Sequence, residues 1–110
     1  MPMEVFNGRW NISIAGTGTG STATKSGATG KTWVVDHVSC YGDADALLTL
    51  QESGTSGNVV LGQWKLDVSI DPNIIVNGYW VISGGEDAIL NLSAGGSGNC
   101  RVNISGFTIP

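Results

Sequence analysis

Glycine placement constrains this chain more than any other feature. Seventeen glycines are spread so that few windows of about twelve residues lack one. Each glycine in a helix interior costs about 1 kcal/mol against alanine, so no stretch reads as a helix. Strand signals recur instead at short spacing, divided by Gly, Ser, Asn and Asp clusters, which is the pattern of a β-sandwich or barrel.

The strands are legible from alternation. Trp10, Ile12 and Ile14 alternate with Arg9, Asn11 and Ser13. Gly16–Gly20 breaks that run, Ser21–Lys25 reads as a polar edge strand and Ser26–Gly30 as a turn, with a mobile loop over the simple Gly16–Gly30 stretch as the alternative. Lys31–Tyr41 is a long strand with apolar groups on both faces, so its register stays open: Val34, Val38 and Cys40 could face the core, with Trp33, Val35 and His37 opposite. Ala46–Glu52 and Asn58–Leu66 flank a hairpin loop at Ser53–Gly57, with Val60, Trp64 and Leu66 on one face. After a turn at Ile70–Asn73, Ile74–Val76 and Tyr79–Ile82 read as a hairpin around Asn77-Gly78, a pair that tolerates positive φ. Ala88, Leu90 and Leu92 alternate; so do Cys100, Val102 and Ile104, after a loop at Ala94–Gly98. Past Gly106 the apolar set shifts by one, to Phe107 and Ile109, as a bulge would require. The expectation is one antiparallel β-sandwich domain spanning residues 1–110, jelly-roll-like with about eight strands, residues 1–8 forming an N-terminal arm.

Charge sharpens this. Charged residues are 13% of the chain, about half the usual share. The surface is therefore covered by Gly, Ser, Thr and Asn, which lose little solvation when a neighbour covers them. We expect a protein that lives in contact with others. The net charge is −4, and the five cations, Arg9, Lys25, Lys31, Lys65 and Arg101, are scattered; no basic run exists to track a phosphate backbone, so no nucleic-acid partner is expected. No apolar run has the length of a membrane span, and no membrane partner is expected. The Met1–Phe6 opening lacks the basic and apolar regions of a secretory signal, so a whole gene product is expected. Cys40 and Cys100 are then expected as reduced, packed thiols, with a disulfide as the alternative.

No catalytic residue, metal or cofactor is expected. Gly27–Thr32 resembles a phosphate loop, but Lys25 stands where its first glycine belongs and a strand follows instead of a helix. His37, the one histidine, sits mid-strand without a nucleophile turn. One His and two distant Cys lack zinc spacing. Asp43, Asp45, Glu86 and Asp87 fall in turns, where Asp serves as a local hydrogen-bond acceptor, and they lack the rest of a calcium loop. Asn11, Asn91 and Asn103 begin sequons inside strands and read as outward polar positions. Trp10 and Trp64 alternate in phase with aliphatics and belong in the core. Trp33 and Trp80 are left as candidate subunit contacts.

These features resemble the small jelly-roll decoration, or cement, proteins of tailed bacteriophage capsids. The resemblance is carried by Trp10–Ile14, by the Gly-Lys-Thr opening of the Gly30–Tyr41 strand, by the late Gly-rich loop, and by Asn99–Ile109. It implies a structural virion protein, assembled in the host cytoplasm, that trimerises and clamps the major capsid protein from outside without a small-molecule substrate. Head-fibre and tail-attachment domains are related stations. Two rivals stand beside it. A carbohydrate-binding sandwich needs exposed, coplanar Trp residues; a cupin-like metal enzyme needs several His and carboxylates around a metal.

Overall fold

The structure, a computed structural model, describes residues 8–17, 20–94 and 99–109. The expected N-terminal arm and the last Gly-rich loop lie outside these residues, apart from Gly8 and Ala94 at their inner ends. The strands are β1 (Arg9–Thr17), β2 (Gly20–Lys25), β3 (Thr32–Gly42), β4 (Ala46–Glu52), β5 (Val59–Leu66), β6 (Asn73–Val81), β7 (Ala88–Ala94) and β8 (Asn99–Ile109). They form two four-stranded sheets, ordered β1-β8-β3-β6 and β2-β7-β4-β5, with every pairing antiparallel.

That order has a simple origin. The chain is a long double ribbon in which β1 pairs with β8, β2 with β7, β3 with β6 and β4 with β5, its tip being the β4–β5 hairpin. Rolled up, alternate pairs fall in alternate sheets, and β8–β3 and β7–β4 bonds close them. This is the jelly roll.

The core follows from alternation. Ala23, Leu48, Leu50, Leu90 and Leu92 from one sheet meet Val38, Val102 and Ile104 from the other, all fully buried. Burying each aliphatic side chain contributes about 1.5–3 kcal/mol.

One bulge rearranges the sheet of β1, β8, β3 and β6. The β3 register shifts between Val35 and His37 against both β8 and β6. Asp36 is the extra residue against β8, where Val35 faces Gly106 and His37 faces Ser105. The parity of β3 therefore changes at Asp36. Before it, Trp33 and Val35 point inward and join the core; after it, Val38 and Cys40 do. This decides the register that sequence leaves open, and it excludes the facing with Val34 inside and Trp33 and Val35 outside. Val34 instead points outward, beside Val81 and Phe107. The bulge expected at Gly106 is displaced onto this partner strand: β8 keeps one register against β1 from Asn99 to Phe107. Gly106 is needed all the same. A Cβ there would collide with the Val34 carbonyl and would crowd the Trp10 ring at 3.0 Å.

The expected Asn77-Gly78 hairpin does not form. Asn73–Val81 is one continuous strand, and neither residue takes a positive φ. Tertiary packing overrides the turn preference: a Cβ on Gly78 would stand 2.5 Å from the Trp80 ring, so the glycine is the floor on which that indole lies. Gly62 does the same for Trp64, at 2.7 Å. These two Gly-x-Trp strands are edges of opposite sheets, and Trp64 and Trp80 meet edge to face at 5.8 Å, closing that side of the sandwich. A second bulge, beside Leu50 and Gln51 in the β4–β5 pairing, inserts Leu61 and turns Val60 outward, against expectation.

Gly106→Ala is expected to destabilise the domain by about 1–3 kcal/mol through overpacking at the bulge. Thermal unfolding followed by near-ultraviolet circular dichroism checks this. An unchanged midpoint would mean that the β3–β8 approach relaxes freely.

Candidate interaction surface

The outer face of the β1-β8-β3-β6 sheet carries the exposed apolar groups that a solitary domain would avoid. Ile75, Tyr79 and Val81 on edge strand β6 are 69%, 66% and 50% exposed. Tyr79 tilts against Phe107 of β8, ring centroids 6.2 Å apart. Val34, fully buried although on the outer side of its sheet, lies between Val81 and Phe107. The patch thus has a floor (Val34) and exposed walls, and it continues to Ile109 at the end of β8.

Charge on this face is held in place. The Arg9 guanidinium donates to both oxygens of Asp36 at 2.9 and 3.2 Å. The bulge puts Asp36 within its reach. The pair is solvent-exposed, so it contributes at most about 1 kcal/mol; its effect here is to cancel two charges beside Phe107. The His37 ring Nδ1 bonds the Asn77 side-chain oxygen at 2.8 Å. Arg101 donates to Ser13 Oγ at 3.2 Å and lines a shallow groove of about 470 Å³ with Ala15, Gly16, Tyr41, Asn99 and Cys100.

Among the described residues the other acidic side chains cap loops at the ends of the sandwich. Asp87 accepts the Gly27 N–H at 2.6 Å, Glu52 the Ser83 N–H at 3.1 Å, and Glu86 the Ser53 hydroxyl at 2.7 Å. At the opposite end Asp45 accepts the Val68 N–H at 3.0 Å and Asp43 the Asn99 N–H at 3.0 Å. Asp67 accepts both the Ser69 hydroxyl and its backbone N–H, which hold its carboxyl below the usual range. The turn carboxylates are therefore occupied as acceptors for loop groups, several of them distant in sequence. Among the described residues no three or more His, Cys, Asp or Glu side chains gather where a metal would need them.

The candidate contact residues part company. Trp33 is 5% exposed and belongs to the core, because the Asp36 bulge sets its parity inward; as a surface contact it is corrected. Trp80 is half-buried against Trp64. At the other side of the sandwich Trp10 and Trp33 meet edge to face at 6.4 Å, with the Lys25 ammonium 4.7 Å from the Trp33 ring and 5.8 Å from Trp10. Tyr79, Val81, Phe107 and Val34 were not singled out from sequence. The available signal was the shift of apolar parity past Gly106, which marks residues that cover the outer side of the sheet.

Cys40 and Cys100 are buried free thiols on the inner face of β3 and β8. Burial pushes the Cys40 thiol up to about 11 from its ordinary 9.0, and the neighbouring Cys100 adds to the rise.

No protein-family model matches the chain. No curated protein matches it either. Among solved structures, the chain resembles the crystal structure of the Yersinia pseudotuberculosis-derived mitogen (YPM), with 14% identity, 87% of this chain and 86% of that one covered, and a TM-score of 0.37. A TM-score that low carries no argument about function.

A thiol whose folded-state pKa is raised favours the folded state below its unfolded value. That contribution is lost as pH climbs from about 9 to about 11. Wild-type stability in that window is expected to fall by up to about 1.4 kcal/mol per pH unit more steeply than that of Cys40→Ala. Urea unfolding at a series of pH values gives the two slopes, and equal slopes would show that Cys40 ionises alike in both states.

Proposed function

We propose that this domain is a structural virion protein, a decoration or cement protein that trimerises and binds the outer surface of a capsid lattice to stabilise it. The observation that supports the reading best is the outer face of the β1-β8-β3-β6 sheet: a jelly-roll face with exposed Tyr79, Val81 and Ile75 and its Arg9–Asp36 charges mutually cancelled. Exposed apolar groups clustered on one face mark an association surface, and uncharged polar neighbours desolvate at low cost. A closed ring of three stops growing once formed and turns three weak contacts with a lattice into one multivalent attachment. The major capsid protein is the proposed partner, and the capsid exterior the proposed location.

The carbohydrate-binding reading depended on a flat tryptophan platform. Both Trp pairs are edge to face, with interplanar angles of 72° and 78°, and Trp33 is buried. That arrangement gives a sugar ring no coplanar indoles to stack on.

Light scattering of the purified chain is expected to give three times its 11.4 kDa mass, and the protein is expected to pellet with capsid shells. A monomer at high concentration that stays in the supernatant would overturn the proposal. Tryptophan fluorescence is expected to stay unchanged on adding polysaccharide; saturable quenching would revive the rival.

A further inference from the structure

Edge strands leave a row of backbone N–H and C=O groups open to wrong partners, and natural sheets guard them with charge or proline. The described edges of this sandwich follow that rule except one. β1 opens on Arg9, β2 ends on Lys25 and β5 carries Lys65. β6 (Asn73–Val81) carries no charge and no proline along nine residues. Its outward Tyr79 and Val81 side chains run into Val34 and Phe107, with Ile75 lying beyond the hydrogen-bonded His37–Asn77 pair. Edge and adjoining face therefore make one apolar surface whose neighbouring charges, Arg9 and Asp36, are paired with each other.

We infer that this surface, centred on Tyr79, is where copies of this chain meet each other. The occupant is argued from charge. The chain carries −4 overall, so two copies repel unless their contact avoids the acidic residues. Among the described residues the carboxylates stand at the loop ends of the sandwich, except Asp36, which Arg9 neutralises. Three copies that gather their Tyr79 patches about a common three-fold axis bring neutral apolar surfaces together and hold the acidic ends apart. The other broad face is a poorer choice: it exposes Leu47 and Val60, but it sets Leu47 beside Lys65 and presents Thr22, Gln63, Asn91 and Ser93, with the Thr22 and Asn91 side chains already bonding each other at 2.7 Å. Stable contacts between copies have more apolar centres than transient ones, and tyrosine is enriched among residues that dominate such contacts.

The inference rests on the proposed oligomer and names its contact. It is tested on the full chain by light scattering and sedimentation with Tyr79→Asp and, separately, Val81→Lys. Gln63→Lys on the opposite face is the control. Tyr79 and Val81 are at least half exposed, so both variants are expected to keep the wild-type near-ultraviolet spectrum; if either loses it, Ile75→Asp takes its place. The expected result is a wild-type and control oligomer of equal mass, with the patch variants dissociating at least about tenfold more readily. Patch variants that keep the full oligomer would overturn the inference and leave the proposed oligomer standing. A wild-type monomer that still pellets with capsids would overturn the inference and the trimer while leaving capsid binding intact. A monomer that does not pellet would overturn both.

Discussion

The bulge at Asp36 is the constraint on which the rest of this jelly roll depends. A single extra residue in β3 divides the strand into two halves of opposite parity. The first half delivers Trp33 and Val35 to the core, and the second delivers Val38 and Cys40. The residue between, Val34, is turned out and becomes the floor of the apolar patch. The same insertion puts Asp36 opposite Arg9 and brings the β3 backbone against β8 so closely that Gly106 tolerates no side chain. Core, patch and ion pair are consequences of one register change. Bulges commonly re-aim side chains beside functional surfaces, and here the re-aimed residue is a buried valine facing away from the main core.

Tryptophan and glycine divide a second task. Two sheets packed face to face are open along both sides, where edge strands expose the core. Trp64 and Trp80, each lying over the glycine two positions earlier, close one side. Trp10 and Trp33, with the Lys25 ammonium over their rings, close the other. Edge-to-face pairs suit this place because their quadrupoles attract at right angles. Four indoles that look in sequence like a binding platform are spent on closure, and among the described residues the large exposed aromatic groups are tyrosines on a single sheet face.

Charge is distributed in keeping with this. The carboxylates hold loop N–H and hydroxyl groups at the two ends of the barrel, where the chain must turn and its backbone groups lack ladder partners. The broad faces are left nearly free of net charge. A low content of ions leaves association limited mainly by shape and apolar contact, and the unguarded edge strand β6 adjoins the face where exposed Tyr79 and Val81 cluster with Phe107 and Val34. This coincidence gives the surface its functional reading. Shared architecture alone would not, since jelly rolls serve many purposes.

Most of the architecture was legible in the chain. Glycine spacing spoke against helices, and alternation located every strand, although it split β6 in two, with β4 matched at both ends and the inward sets of β7 and β8 assigned correctly. Those features are local: strand pleat has period two whatever the strand pairs with. What failed was decided between strands. The long apolar run of β3 suits both parities, so its register waited on β8 and β6. Asn77-Gly78 is a good turn by its own conformational preference, yet the Trp80 ring required a flat, unsubstituted floor there, and the strand ran through. Val60 and Trp33 were assigned to the wrong faces because bulges, which alternation alone does not locate, lay between them and their neighbours. The sequence by itself determined the class, the places where most strands lie and the scarcity of charge. Only the tertiary structure decided which apolar residues stayed outside, because that depends on cross-strand register, a property of two segments far apart in the chain.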